Sequence, residues 1–474
     1  MKTPVISCFF ASVGIVLGLT AAATAPQAAG GYSLDFVAEI SFPSSQSGCG
    51  NTDVTGGSDI WGYTAPDGTE YAIMGVMEGI AVVRVPDMTV IDVVEGPMES
   101  SCYWHRDIKT YGHYAYAVSE MVGTNQGIMI LDLSDLPNSV GLVGAYNPPG
   151  HSTSHNLSID EATGYAYVCS TGGGGFRIVN LADPENPVDV HEVNTGSIHD
   201  LYATNDLVYV AEGWLSSFSV YDCSNKTNPV RLAEFQTPGG YAHSFWADQD
   251  GQYAMTTEET PERTCKVWNV SDASQGNISL VGEWLGASQI AHNAHILGDF
   301  AFVSHYSSGV SVVDISDPSQ PIEIANYDTY PPHDEPAFEG CWGVYPYTEN
   351  DMVFTSDMHG DLTVFQFEQP TTGAEAGTPP GSADLGIAPN PFRAETMLSY
   401  QLLEGAPVRI DIFDVHGARV RGLVDGHSAA GNHVVGWDGR RDDGQPVAGG
   451  AYFYRLQVEG SVHYNVTKKV VKLD

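Results

Sequence analysis

Residues 102–133 have the sequence CYWHRDIKTYGHYAYAVSEMVGTNQGIMILDL, and this stretch is the unit that the chain repeats. It contains a short run with Trp104 and His105, a second apolar run at 114–118 and a third at 127–133. Val, Ile and aromatic residues favour strands, and turn residues separate the three runs. The stretch therefore predicts three strands of one sheet.

Six further copies of the unit are found by aligning the first run. The aligned pairs are Trp61-Gly62, Trp104-His105, Ser154-His155, Ile198-His199, Ala242-His243, Ala291-His292 and Trp342-Gly343. Counted on the second residue of each pair, successive spacings are 43, 50, 44, 44, 49 and 51 residues. This is the period of a four-stranded blade, and such sheets protect their edges by closing into a ring. We predict an all-β protein in which residues 32–368 form a seven-bladed β-propeller.

The two ends of the predicted ring complement each other. The seventh repeat ends at Phe367 with only three strands, while an unattached strand-like run, FVAEI at 36–40, precedes the first repeat. This run is similar to the outer-strand segment LAEF at 232–235. We therefore expect residues 36–40 to supply the outer strand of the last blade.

The chain ends in a second, smaller unit. Residues 369–382 are rich in Pro, Thr, Gly and Ala, a composition typical of a flexible linker. Beyond them, strand-like runs alternate with Gly turns over residues 383–474, and Trp437, Tyr452, Phe453 and Tyr454 offer aromatic core residues. The pattern predicts a small immunoglobulin-like β-sandwich.

The N-terminus indicates export. Residues 1–25 combine an early Lys2, an apolar run at 5–19 and small residues at 21–25, which is the pattern of a signal peptide. No later stretch is long enough to span a bilayer, so we expect a secreted or cell-surface protein without a transmembrane segment in the mature chain. Six cysteines then remain, and export permits disulfides among them, although no CxxC pair indicates structural zinc.

The charge balance narrows the range of partners. With 58 acidic and 19 basic residues the net charge is -39, so nucleic acid, whose phosphates need clustered Lys and Arg, is excluded as an expected partner. The carboxylates either keep the surface soluble or hold divalent cations.

The repeats resemble the LVIVD repeats of choice-of-anchor B proteins. The resemblance covers about residues 32–368 and is carried by DIWGY at 59–63, WHRDI at 104–108, SHNL at 154–157 and CWGVYP at 341–346. It implies an exported propeller with an interchangeable C-terminal sorting or anchoring module, and it brings no biochemical activity.

The C-terminal unit carries a second resemblance. DVHG at 414–417, WDG at 437–439 and AYFYRL at 451–456 are similar to the immunoglobulin-like domain of flagellar hook-capping proteins. PNPF at 389–392 and KKVV at 468–471 resemble type IX secretion sorting domains. The resemblance implies that residues 383–474 serve sorting or anchoring and contact the secretion or cell-envelope machinery.

Five blades place histidine at one aligned position, the start of the predicted innermost strand. These are His105, His155, His199, His243 and His292. Because equivalent strand starts in a closed ring share one end of the channel, we expect the imidazoles to meet there. The next strand returns to the same end, and this places Glu120, Glu212, Glu258, His305 and Asp357 nearby. Acidic neighbours would raise the pKa of the histidines.

Two interpretations of the histidine set remain open. Imidazoles and carboxylates that converge from several blades can bind a divalent metal ion. Alternatively, a repeated histidine bonds a backbone carbonyl of the adjoining blade and serves structure alone. Convergence of at least three of these side chains on one volume would favour the metal site.

Tryptophans offer a different kind of site. Trp61, Trp104 and Trp342 occupy matching positions next to the predicted mouth and are candidates for ligand binding by stacking on sugars, although aromatic residues at such positions also serve packing between blades.

Two functions follow as hypotheses. The first is an exported or cell-surface binding or scaffold propeller that recognises a protein or glycan at the channel mouth. The second is a metal-dependent extracellular hydrolase or lyase that uses the histidine and carboxylate ring.

Overall fold

The structure, a computed structural model, describes thirteen segments of the chain. They are residues 32–42, 56–98, 105–147, 151, 153–170, 174–196, 198–332, 335–369, 385–388, 392–402, 405–414, 419–459 and 463–473. The signal peptide predicted for residues 1–25 and most of the predicted linker lie outside these segments. The chain divides into two compact units, Met1–Pro370 and Thr371–Asp474.

Unit 1 is a seven-bladed β-propeller, as predicted. Its β-branched and aromatic runs form seven four-stranded antiparallel sheets. The strands in chain order are β1 Ser33–Ser41, β2 Ile60–Thr64, β3 Glu70–Val76, β4 Gly79–Val85, β5 Thr89–Glu95, β6 Arg106–Tyr111, β7 Tyr114–Ser119, β8 Ile128–Asp132, β9 Gly141–Tyr146, β10 Ser154–Asp160, β11 Tyr165–Ser170, β12 Phe176–Asn180, β13 Val188–Val193, β14 Asp200–Thr204, β15 Leu207–Ala211, β16 Ser217–Asp222, β17 Val230–Gln236, β18 Ala242–Ala247, β19 Tyr253–Glu258, β20 Cys265–Asp272, β21 Asn277–Trp284, β22 Ala294–Leu297, β23 Phe300–Ser304, β24 Val310–Asp314, β25 Ile322–Tyr327, β26 Cys341–Tyr345, β27 Met352–Asp357 and β28 Asp361–Glu368.

The ring closes through the first strand, and the prediction for residues 36–40 is confirmed. Blade 7 has the order β1-β28-β27-β26, so the N-terminal strand is its outer strand. Leu34 pairs with Phe367 and Ile40 with Leu362 in antiparallel register, with an irregularity between Phe36 and Ala38. Backbone hydrogen bonds therefore close the propeller.

Burial differs from the channel to the rim. In blade 1 the second strand, β3, is buried at every position, whereas the outer strand, β5, is mostly exposed or half-buried. The predicted Asp turns connect the third and outer strands. Asp317, for example, accepts the N–H of Ser319 at 3.0 Å on its carboxylate and that of Gln320 at 2.9 Å on its carbonyl. The core of the propeller is thus formed by the inner strands.

Unit 2 is a two-sheet sandwich, as expected. One sheet has the order β29-β30-β33 and the other β32-β31-β34-β35. The strands are β29 Leu385–Ala388, β30 Thr396–Leu402, β31 Ala406–Asp414, β32 Arg419–Ser428, β33 Gly431–Trp437, β34 Gly450–Glu459 and β35 His463–Lys472. Trp437, Tyr452 and Tyr454 are buried in its core, whereas Phe453 is half-buried.

Helix is almost absent from the described segments. Their single helical element is one 3₁₀ turn, Ala273–Gln275, which ends at Gly276 in a left-handed conformation. No helix in these segments has the length and apolar character needed to cross a bilayer.

Candidate functional site

The innermost strands of the seven blades begin at one end of the central channel, which we call the mouth. The five predicted histidines lie at or just before the starts of these strands, at positions 105, 155, 199, 243 and 292. Since the second strand of each blade runs back, the loops that follow second strands lie at the mouth too.

The five imidazole rings form a continuous series around the mouth. Successive ring centroids are 3.9, 4.4, 4.2 and 4.3 Å apart in the order His105, His155, His199, His243 and His292. Trp342 lies 4.2 Å from His292 and 5.8 Å from His105, so it links the two ends of the series. We call these six residues the aromatic belt.

The belt corrects the sequence alignment in blades 1 and 7. In blade 7 the belt residue is Trp342, one residue before the aligned Gly343. In blade 1, Ser58 N–H donates to the Gly75 carbonyl and Gly75 N–H to the Asp59 carbonyl. His292 and the residue after it form the same pair of bonds with Ser304, so Ser58, and not Gly62, is the counterpart of the histidines.

Hydrogen bonds hold several belt rings to the neighbouring blade. His199 Nδ1 lies 3.1 Å from the His243 carbonyl oxygen, and His292 Nδ1 lies 2.6 Å from the carbonyl oxygen of Trp342. A carbonyl only accepts, so each Nδ1 carries the proton and donates it. These contacts match the structural interpretation, yet they also leave Nε2 of each ring unprotonated.

Burial keeps most belt histidines neutral. It lowers the pKa of His105, His199 and His243 well below the usual value, and the adjacent imidazoles lower these pKa values further. Burial also lowers the pKa of His292 to about 3. The expectation that acidic neighbours would raise these pKa values is wrong, because desolvation of the charged form outweighs them.

The predicted carboxylates separate into two groups. Glu120 lies at the belt, with one oxygen 3.0 Å from His155 Nδ1. Glu212 instead accepts hydrogen bonds from Ser217 and Ser219, the latter at 2.7 Å, and lies 3.3 Å from Arg231. Glu258 pairs with Lys266. Neither of these two side chains points to the imidazoles. Each contacts the third strand of its own blade, β16 for Glu212 and β20 for Glu258.

The other two polar candidates have local partners. His305 contacts the hydroxyl groups of Ser288 and Ser308, and burial lowers its pKa to about 4. Asp357 lies 2.8 Å from His359 Nδ1. His305 therefore stabilises loops of blade 6, and Asp357 stabilises a loop of blade 7.

Glu259 is a belt neighbour that the sequence prediction missed. It follows Glu258 at the end of β19, and its Oε2 atom lies 3.7 Å from His243 Nε2. The Tyr306 hydroxyl donates to its Oε1 atom. Burial raises the pKa of Glu259 to about 7. One ligand atom each from His199, His243 and Glu259 lie within 4.8 Å of one another.

An ion-paired layer lies below the belt. Lys109 Nζ lies 2.6 Å from Asp107 and 3.3 Å from Asp59, and all three side chains are buried. Asp107 also accepts the Leu157 N–H at 2.6 Å, and Asp59 accepts the Ile108 N–H at 3.1 Å. This layer therefore ties blades 1, 2 and 3 together, and one ammonium group serves both carboxylates. We call Asp59, Asp107 and Lys109 the buried triad.

Aromatic rings close the channel beyond the buried triad. Trp61 lies 5.9 Å from Trp246, 5.8 Å from His295 and 5.1 Å from Tyr345, and Lys109 Nζ lies 4.4 Å from its centroid. A cavity of about 30 Å³, lined by belt and triad residues, remains between the layers. It has room for about two water molecules, so the channel is not an open pore.

The predicted tryptophan platforms are corrected by the structure. Trp61 is 9% exposed and packs inside the channel, and Trp342 is 5% exposed within the belt. Neither offers an open ring face to the surface, because both serve packing between blades. Trp104 lies outside the described segments.

A different tryptophan is open at the mouth. Trp214, in the loop after β15, is 86% exposed, and its ring meets Tyr241 edge-on at 4.8 Å. Tyr241 in turn lies 5.1 Å from His199. Gly213 exchanges two backbone hydrogen bonds with Ala242, which anchors the loop beside the belt. Nothing in the repeat pattern distinguishes Trp214 from the buried tryptophans, because exposure is not visible in such a pattern.

The four cysteines of the described segments have free thiols. Cys169, Cys223, Cys265 and Cys341 are buried, and none of them is paired in a disulfide. Burial raises the pKa of each thiol, so they act as small apolar core groups.

Two known families match parts of the chain. The LVIVD repeat matches residues 105–148 and 289–329, which correspond to blades 2 and 6, and the FlgD Ig-like domain matches residues 392–461 in unit 2. The fold thus defines a β-propeller scaffold protein. More particularly, its propeller contains LVIVD repeats and is followed by an FlgD Ig-like domain.

Three solved structures show a distant likeness to this chain. Raptor from Chaetomium thermophilum is 12% identical with a TM-score of 0.50, over 71% of this chain and 29% of that one. The computationally designed Ika8 protein is 12% identical with a TM-score of 0.43, over 72% and 98%. PorZ, a surface component of the type IX secretion system of Porphyromonas gingivalis, is 13% identical with a TM-score of 0.44, over 91% and 61%. A search of curated proteins returns no match.

Proposed function

We propose that this protein is an exported or cell-surface binding propeller that recognises an extracellular protein or glycan at the channel mouth. In this proposal the immunoglobulin-like unit serves secretion or attachment. The observation that carries the proposal is the exposed Trp214 ring, which stands beside the aromatic belt.

Trp214 has the features of a binding anchor. Its ring is open to solvent, whereas Trp61, Trp268, Trp284 and Trp342 are buried in the propeller. The edge contact with Tyr241 limits its motion, so little conformational freedom is lost when a ligand stacks on it. Tryptophan is enriched among the residues that dominate binding energy, because a large flat ring is desolvated on contact.

The closed channel supports recognition at the mouth. The buried triad and the Trp61 cluster fill the channel below the belt, so a polymer has no path through the ring. A second exposed ring, Phe338, meets Tyr306 at 5.4 Å in the loops of blades 6 and 7. Aromatic groups from several blades therefore face the same side, as an extended ligand requires.

Export and attachment rest on separate observations. Residues 1–25 have the pattern of a signal peptide, and the net charge of -39 suits an extracellular surface. Unit 2 has its own buried core around Trp437 and Tyr454, so it is suited to act as an independent module. We propose that it contacts the secretion or cell-envelope machinery.

The proposal is tested by screening the mature chain against an array of extracellular polysaccharides and a panel of purified envelope proteins. We expect binding to one of these classes, with affinity reduced about thirtyfold by Trp214→Ala, the loss that corresponds to a hot spot of about 2 kcal/mol.

Leu280→Ala is the matched control. Leu280 is an exposed apolar residue of the outer strand β21, away from the mouth, and its loss should leave binding unchanged. Binding that is insensitive to Trp214 but is lost on removal of unit 2 would contradict recognition at the mouth.

A further inference from the structure

We propose that His199, His243 and Glu259 form a binding site for one divalent transition-metal ion at the channel mouth. The three residues come from blades 4 and 5, and one ligand atom of each lies within 4.8 Å of the other two. This inference goes beyond the proposed recognition of a protein or glycan and does not depend on it.

The tautomer of His199 suits a metal ligand. Its Nδ1 donates to the carbonyl of His243 at 3.1 Å, so the lone pair of Nε2 is available. Histidines that bind metals usually donate their other ring N–H to a carbonyl or a carboxylate, which fixes the orientation of the ring. The same bond that ties blade 4 to blade 5 therefore prepares the ring for an ion.

The tautomer of His243 follows from its neighbour Thr257. The Thr257 hydroxyl donates its proton to the carbonyl of His292. Its oxygen lies 3.4 Å from His243 Nδ1, and with its own proton already used it can only accept there. His243 Nδ1 is thus the donor, and Nε2, which faces Glu259, carries the lone pair.

Glu259 completes the set at a suitable distance. Two ligands of a tetrahedral ion with bonds of about 2.0–2.1 Å lie roughly 3.3 Å apart. The 3.7 Å between Glu259 Oε2 and His243 Nε2 is longer than a hydrogen bond and close to that separation. Tyr306 holds the other carboxylate oxygen, so it acts as a positioning residue for Oε2.

The charges at the site favour a cation. Glu259 is largely buried, and no Lys or Arg in the described segments forms an ion pair with it. A bound ion between the three ligands would supply the positive charge that the carboxylate form of Glu259 lacks.

The donor set indicates the class of metal. Two imidazoles and one carboxylate suit Zn²⁺, Cu²⁺ or Ni²⁺ better than Ca²⁺ or Mg²⁺, which prefer oxygen ligands alone. Three protein ligands leave a coordination position for water or for a group of a mouth ligand. The adjacent His155, which is hydrogen-bonded to Glu120, is the other belt neighbour of His199, opposite His243.

The inference is tested by titrating the metal-depleted mature chain with Zn²⁺ in a calorimeter. We expect one ion per chain. Glu259→Gln keeps the shape of the side chain and removes its charge, and it should weaken binding at least about a hundredfold, beyond the 10–100-fold that the loss of an outer partner costs. Tyr306→Phe removes only the positioning hydroxyl and should weaken binding by about tenfold.

Glu262→Gln is the matched control. Glu262 is exposed, lies three residues further along the same loop and should bind Zn²⁺ like the unchanged chain. Cu²⁺ supplies a second measurement, because its electron paramagnetic resonance spectrum should show coupling to two nitrogens. His243→Ala should reduce this to one nitrogen, and the Tyr306→Phe spectrum should retain both.

The outcomes separate a metal site from purely structural histidines. No stoichiometric binding of Zn²⁺, Cu²⁺ or Ni²⁺ by the folded chain would overturn the inference, and so would equal Zn²⁺ affinity of the unchanged chain and Glu259→Gln. Trp214→Ala should bind Zn²⁺ normally. Its failure to bind a polysaccharide or an envelope protein therefore tests the proposed function and leaves this inference untouched.

Discussion

The aromatic belt and the buried triad line the same cavity in the channel, but their polar groups are paired in different ways. In the buried triad every charge meets an opposite charge or a backbone N–H. In the belt, His199 and His292 each donate Nδ1–H to a carbonyl of the next blade and leave Nε2 for a partner. Polar groups that all have partners indicate a structural role. Oriented nitrogen lone pairs without a partner indicate a binding site.

This comparison predicts the largest loss of stability for the triad. Lys109→Met leaves the buried carboxylates of Asp59 and Asp107 without their cation. Removing one partner of a buried ion pair costs about 3–5 kcal/mol, which urea unfolding should detect. The exposed pair of Arg84 and Asp87 gives the control, since Arg84→Met should leave the free energy of unfolding nearly unchanged. Equal losses would mean that the triad does not hold the blades together.

A smaller loss is expected where the belt is tied to its blades. Thr257→Val keeps the side-chain shape but removes the hydroxyl that bonds His292 and His243. A buried acceptor left without its donor costs about 1–3 kcal/mol in the free energy of unfolding. Thr227→Val, at an exposed turn, should be nearly neutral. A neutral Thr257→Val would show that the belt does not depend on these bonds.

At the mouth rim, His359 should show the opposite pH behaviour to the belt. Its hydrogen bond with Asp357 raises its pKa above 6.5, despite burial. A raised folded-state pKa stabilises the protein below the unfolded pKa, and this contribution disappears as pH rises through the folded value. His359→Gln should therefore cost under about 1 kcal/mol at pH 5.5 and nothing at pH 9, by urea unfolding. A cost that grows with pH would contradict the assignment.

The smallest effect on stability is expected at the open end of the mouth. Trp214→Ala should change the free energy of unfolding by at most about 0.5 kcal/mol, because the ring is already in solvent. The buried Trp268→Ala should cost about 3–5 kcal/mol in the same thermal or urea measurement. A large loss for Trp214→Ala would assign that ring to packing and remove it from the proposed binding face.

The fold could be predicted from the sequence because it is built from repeated strand-like runs. The spacing of the runs, the missing fourth strand after Phe367 and the spare strand at 36–40 together specified seven blades and their closure. The alignment failed locally in blades 1 and 7. The irregularity around Trp342 matches the one around His243 in blade 5, so Trp342 takes the belt position and the aligned Gly343 is the residue after it. In blade 1 the first strand begins after Ser58 and Asp59 have already taken the equivalent bonds. Neither shift changes the period, so neither is visible in it.

The candidate site could be predicted from the sequence only in part. The five histidines share one repeat position, and the repeat brings them together. The choice of Glu258 over Glu259 ignored the alternation of a strand, in which Thr257 and Glu259 share one face and Glu258 takes the other. In the structure Thr257 contacts His243, so the alternation places Glu259 on the side of the belt. The exposure of Trp214 and the pairing of Lys109 depend on blade-to-blade contacts that a single sequence does not encode locally.

Closure by β1 also imposes an order of events during synthesis. β1 is the first strand of the propeller to leave the ribosome, and its partner β28 is the last. The ring therefore cannot close until all seven blades exist, and contacts between such distant residues form slowly. Until then β1 is an unpaired edge strand, which is prone to pair with another chain. A chain that stops before β28 consequently loses its first strand as well as its last.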